Sequence, residues 1–268
     1  MYPRREVFPR SPLVYVTAEV ALAYEPFINK VETRDRFADA IRDRLPILSQ
    51  EMSVSLPLLQ TSDDMPAQTL PALRAFNQDR TSSALLKATS LTFDTVAYTD
   101  FPAFLDCASA ALTALAECAP QALVQRAGIR FVNELRQPHA QADDGFNWEK
   151  WVAPELLASA GLLSVGHPAG SMGHTLYHLD SDEWIGFRWG DVVGTSIIDR
   201  DVPLQRKESI SGPFFALDID SFWEPATPGP LDPDALLTHF RRLRPLAGEL
   251  FQSAITDDAR EYFRGEKT

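Results

Sequence analysis

The chain has 268 residues, a formal net charge of −12, and 45% hydrophobic and 10% aromatic content. Apolar content at that level excludes wholesale disorder, and a chain this long forms one large domain or two small ones that bury roughly three quarters of the unfolded surface. The acidic balance lacks the basic face a phosphate-backbone binder needs, which makes nucleic acid an unlooked-for partner.

Two basic clusters, Arg4, Arg5 and Arg10, and Arg241, Arg242 and Arg244, read as solvated surface. No apolar run approaches the ~20 residues that span a bilayer, so no membrane partner is expected. The opening Met1-Tyr2-Pro3-Arg4-Arg5-Glu6-Val7 has the charge of a signal peptide without its apolar core. A cytoplasmic location is therefore expected.

In chain order, Val14, Val16, Ala18, Val20, Leu22 and Tyr24 share one face of a strand that Pro26 ends. Thr33 is placed to cap a helix carrying Phe37, Ile41 and Leu45, closed by Pro46. Met52, Val54 and Leu56 suggest a short strand, and Thr61 to Pro71 a polar loop. Arg74 to Phe76 and Ser83 to Ala88 read as hairpin arms around Asn77-Gln78-Asp79.

The clearest unit follows, strand, helix, strand, from Leu91 to Leu135. Leu91, Phe93, Thr95 and Ala97 alternate with Thr92, Asp94, Val96 and Tyr98, the pattern of a strand with one buried face. Asp100 can cap a helix whose first turn tolerates Pro102. Phe104, Ala108, Ala111, Leu115 and Cys118 form its apolar stripe, and Ala119-Pro120 stops it. In the strand beyond, Ala127, Ile129 and Phe131 share one face, and Arg126, Arg130 and Glu134 the other. Phe104, Leu115, Ile129 and Phe131 are expected to be buried. The two cysteines, Cys107 and Cys118, lie ~16 Å apart along that helix, too far to bridge; they read as small buried hydrophobes of a reducing compartment.

Gln137 to Phe146 is polar and marks a boundary between an N-terminal half, 1–136, and a C-terminal half, 145–268. Asn147 is placed to cap a helical stretch through Trp148, Trp151, Val152, Leu156 and Leu157, broken into two pieces or kinked by Pro154. Gly166 to Gly173 reads as loop; Thr175–Leu179, Trp184–Trp189, Gly194–Ile198 and Pro213–Trp223 as strands. A last long helix starts at Asp232-Pro233, and Pro245 is expected to kink or split it; Thr256 caps a final turn. Strands, an acidic turn and a long amphipathic helix recur in both halves, an outline that fits an internal duplication. The expected fold is α+β, mainly antiparallel sheet covered by long amphipathic helices, in two similar halves forming one compact unit.

The segment Ala127-Gly128-Ile129-Arg130-Phe131-Val132-Asn133-Glu134-Leu135 resembles the central strand, of Gly-Leu-Arg-Tyr-Ile-Asn type, of a sporadically distributed, uncharacterised bacterial family of about this length. Pro12-Leu13-Val14 with Glu19-Val20, Tyr98 to Phe104, Leu217-Asp218-Ile219-Asp220, and Phe251 to Asp258 are similar to further motifs of that family, in the same order. The resemblance spans nearly the whole chain. It implies fold and boundaries, and it carries no activity, cofactor or catalytic residue across.

Several residues could carry chemistry. Asp218 and Asp220 project from one strand face, as carboxylates must to hold Mg²⁺ against a substrate phosphate; the plainer reading makes Asp220 a strand-ending acceptor of backbone N–H groups. Arg126, Arg130 and Glu134 could line a polar groove or stand on a solvated sheet face. His174 and His178 lie on a strand, ~13 Å apart, too far to share a metal. Trp184, Phe187, Trp189 and Trp223 could line a small-ligand cavity or simply fill the core. No phosphate loop, dinucleotide fingerprint or nucleophile elbow occurs.

The leading expectation is a non-enzymatic interaction or regulatory protein that needs no cofactor and binds a protein partner through an acidic face or a sheet edge. The alternatives are a metal-dependent enzyme built on Asp218 and Asp220, and a small-ligand binder.

Overall fold

A computed structural model describes residues 6–55, 68–137, 148–157, 170–179, 182–198, 203–206 and 210–266. These residues form an α+β fold of ten strands and four α-helices. The first elements are β1 (Leu13–Leu22), α1 (Val31–Ile41), β2 (Ile47–Ser55), β3 (Gln68–Phe76), β4 (Ser82–Lys87), β5 (Ser90–Thr95), α2 (Phe101–Cys118) and β6 (Leu123–Leu135). After them come β7 (Met172–His178), β8 (Glu183–Gly194), β9 (Gly212–Trp223), β10 (Gly229–Pro230), α3 (Pro233–Ala254) and α4 (Asp257–Arg264).

The chain gathers into two compact units, and each draws on both sequence halves. The N-terminal unit is Thr17–Ala127 with Glu224–His239; the C-terminal unit is Met1–Val16, Gly128–Trp223 and Phe240–Thr268. The expected boundary from 137 to 146 lies almost wholly outside the described residues.

In the N-terminal unit, β2, β3, β4 and β5 are successive antiparallel neighbours, with registers such as Ile47↔Phe76 and Leu86↔Leu91. β1 lies beside β5, β6 beside β1, and β10 pairs with the start of β6. The β3–β4 turn closes because Asn77 Oδ1 accepts from the backbone N–H groups of Thr81 (2.8 Å) and Ser82 (3.0 Å), while Arg80 takes a positive φ of 51°. Asp100 caps α2 by accepting from Ala103 N–H at 2.8 Å. Phe104, Ala108, Ala111 and Leu115 are buried along the expected stripe, and Phe104 meets Phe93 of β5 at 5.2 Å between ring centroids. By length and composition α2 is also apolar enough to cross a membrane, but half of it is buried within the fold, as suits a helix that packs on a sheet.

Three expectations here are corrected. Thr33 is no cap: a 3₁₀ turn, Pro26–Asn29, leads directly into α1, whose N-cap is Lys30, and Thr33 is buried one turn inside. The expected loop from Thr61 to Pro71 falls largely outside the described residues, and its last part is already β3. β5 does not bury one face alone, because Asp94 on the opposite face is buried with Ser83 and Arg74: Ser83 donates to Asp94, and Arg74 Nη1 donates to Ser83 Oγ at 2.8 Å. Burial there is tolerable because the charges are matched.

In the C-terminal unit the order is β6, β9, β8, β7, with β7–β8 and β8–β9 antiparallel. Ile185 and Phe187 of β8 and Phe215, Leu217 and Ile219 of β9 form the inner face, packed with Leu135, Ala247, Ala254, Phe263 and Trp148. Thr256 caps α4 by accepting from Ala259 N–H at 3.2 Å. Asp232 accepts from the N–H groups of Asp234 and Ala235 at the start of α3. Gly173 is required by the packing, since a Cβ there would stand 2.2 Å from the Trp189 ring.

Further corrections concern this unit. Gly194–Ile198 is not a strand: β8 ends at Gly194, and the next residues bend because Glu134 captures Ser196 Oγ and the Ile197 N–H. Met172 and Gly173, expected in a loop, open β7. α3 runs unbroken through Pro245. The stretch after Asn147 is two short 3₁₀ pieces, Trp148–Lys150 and Pro154–Leu156, as Pro154 suggested. Phe131 is half-buried, not buried, against the rim of the core.

The two units share an outline. In each, the opening strand lies beside the last strand of a meander, β1 beside β5 and β6 beside β9, and an Asp-capped helix follows.

Candidate functional site on the outer sheet face

Alternation along β8 and β9 sends Phe187, Leu217 and Ile219 inward and the intervening residues to the opposite face. That outer face carries Asp218 and Asp220 on β9, Trp184, Gly186 and Arg188 on β8, and Met172, His174, Leu176 and His178 on β7. Register places Arg188 opposite both Asp218 and His174, and Leu176 opposite Gly186.

Asp218 is the fixed point of this face, 5% exposed. Arg130 of β6 grips it with both ends of its fork, Nε to Oδ1 at 2.6 Å and Nη2 to Oδ2 at 2.8 Å. Arg188 adds Nη2 to Oδ2 at 3.0 Å. Burial works against the Arg130 charge, but the hydrogen bonds and charge of Asp218, with the charge of Asp220 adding, hold its pKa above the ordinary arginine value. A divalent ion at Asp218 would have to displace two guanidinium groups already bound to the carboxylate oxygens. Among the described residues, no group of three or more His, Cys, Asp or Glu side chains gathers as metal ligands.

The three residues of the expected polar groove have separate partners. Arg126 belongs to the N-terminal unit, where Glu19 lies 3.8 Å away. Arg130 serves Asp218. Glu134 is buried and ties a loop down, accepting from Arg136 Nη2 at 2.9 Å and from Ile197 N–H at 3.2 Å, with Arg206 3.6 Å away.

The four aromatics of the expected cavity divide between faces, with Trp223 at the end of β9 on the parity of Leu217 and Ile219. Phe187 and Trp189 pack with the inner core, and Trp189 Nε1–H donates to Leu156 O at 3.2 Å. Trp184 stands on the outer face, stacked on His178 with ring centroids 4.1 Å apart. His174 and His178 are on a strand, as their surroundings suggested, and His174 leans over Gly186.

The residues that most distinguish this face, Met172 at 87% exposure, Leu176 at 52%, Trp184 and Arg188, were not singled out together by sequence. Alternation across Met172–His178 and Trp184–Arg188 held the signal, since it puts all four on one side once the hairpin is assumed. No protein-family model matches the chain, and no curated protein sequence matches it.

Proposed function

We propose that this chain is an interaction protein of the cytoplasm whose protein partner docks on the outer face of the β7–β8 hairpin. The supporting observation is the exposure of Met172 and Leu176 on the same face as Trp184 and the Asp218-bound Arg188. Interface centres are enriched in aromatic residues, methionine and arginine, and an Arg already oriented by a carboxylate loses little freedom on docking. The ordered motifs from Pro12 to Asp258 support placing the chain in the uncharacterised bacterial family it resembles. The metal-dependent alternative draws no support from Asp218, whose oxygens are held by arginines.

The test is affinity purification from the natural host cell of wild type, Leu176→Asp and Trp184→Ala. Each variant should keep the wild-type melting profile and lose one specific partner, a cost of about 2 kcal/mol, or roughly thirtyfold in Kd. An unchanged set of co-purifying proteins in both variants would refute the docking face.

A further inference from the structure

Among the described residues β7 ends the sheet, with β8 on one side and no strand on the other. Leu179 N–H donates to Glu183 O (2.7 Å) and Asp191 N–H donates to Ser171 O (2.9 Å). Bonded and non-bonded pairs alternate in an antiparallel ladder. With the register Tyr177↔Ile185 and Thr175↔Phe187, odd-numbered residues of β7 therefore spend their backbone groups on β8. Met172, His174, Leu176 and His178 turn their N–H and C=O groups toward the open side.

Open edges normally carry a lysine, a proline or a bulge that blocks further pairing. Met172-Gly173-His174-Thr175-Leu176-Tyr177-His178 contains no Lys, Arg, Asp, Glu or Pro. Its side chains are exposed on both faces, Met172 and Leu176 on one and Tyr177, 43% exposed, on the other. At ~3.3 Å per residue the strand offers ~23 Å of unpaired edge.

We propose that this edge receives an extended segment of a partner protein, added as a further strand beside β7, with apolar residues at alternate positions and Lys or Arg at its ends. The inference rests on the docking face above and specifies what docks there. A bare strand edge selects extended backbone, because only a strand matches the spacing of its donors and acceptors. Charge selects the flanks. The chain carries −12 overall, and the outer face adds no net positive charge because Arg130 and Arg188 stand against Asp218 and Asp220. The field therefore draws in basic segments and opposes a second copy of the same chain.

The probe is a fluorescein-labelled synthetic peptide, Lys-Val-Thr-Val-Thr-Val-Lys, titrated against the intact protein by anisotropy. Saturable binding is expected, at least tenfold weaker when both ends are Glu and abolished when alternate peptide amides are N-methylated. His174→Pro and Leu176→Pro each delete an outward N–H that β8 does not use, so the melting profile should persist while binding falls at least tenfold. No binding by wild type, or binding indifferent to both proline variants, overturns the proposal. Loss of the natural partner in Leu176→Asp but not in His174→Pro would overturn edge pairing and leave the docking face standing; loss in none of Leu176→Asp, Trp184→Ala and His174→Pro would overturn both. A concentration-dependent dimer of wild type that His174→Pro abolishes would also overturn it, assigning the edge to a second copy.

Discussion

At the residue scale, Asp218 anchors the outer face of the sheet by holding Arg130 of β6 and Arg188 of β8 at once. Its place on a strand face beside Asp220 follows from alternation alone, and the structure keeps it there. Its partners come from β6, 88 positions away in sequence, and from β8, and no local pattern announces contacts at that distance. The same holds for Glu134, whose capture of Ser196 and Ile197 turned an apolar stretch expected to be a strand into a bend. Removing the carboxylate leaves Arg130 and Arg188 facing each other on a half-exposed surface. Asp218→Ala should therefore lower stability by about 2 kcal/mol, between the values for exposed and buried pairs, as read by urea unfolding. Titrating Mn²⁺ into wild type should leave its melting temperature unmoved, because two guanidinium charges sit where the ion would go. A concentration-dependent rise of several degrees, abolished in Asp218→Asn, would restore the metal reading.

At the scale of elements, the best-read segment is the one whose signals agree. In α2 a capping Asp100, a tolerated Pro102, an apolar stripe and a terminal Pro120 point to one answer, and the helix Phe101–Cys118 is that answer. α1 misled because Thr33 has the chemistry of a cap, yet the preceding 3₁₀ turn had already set the helix going at Val31. Pro245 does not split α3, because proline weakens a helix only locally and the buried Leu243 and Ala247 on either side hold α3 to the core. Phe131 marks the limit of alternation, which assigns a face without saying how far the core extends beneath it. Because that ring is half-buried, Phe131→Ala should cost about 2 kcal/mol, less than the ~3–5 kcal/mol of a fully enclosed phenylalanine. Leu115→Ala, at 0% exposure, should cost at least as much by thermal or urea unfolding. Equal, negligible losses in both would contradict these placements.

At the scale of the whole molecule, the α+β fold class was readable because it rests on the order of elements along the chain. The division into units was not, because the compact units trade end segments: the N-terminal arm lies with Gly128–Trp223, and Glu224–His239 lies with Thr17–Ala127. The proposed docking face was half-readable. Its residues alternate visibly in sequence, but their exposure depends on the helices of this unit packing on the other side of the sheet, against Phe215, Leu217 and Ile219. The most direct measurement replaces Leu176 with a photo-crosslinking amino acid and irradiates cells that naturally make the protein. One discrete adduct with a different protein is expected, absent when the crosslinker instead replaces Leu48, which is also exposed. Adducts confined to this chain itself, or the same adduct pattern from both positions, would contradict it.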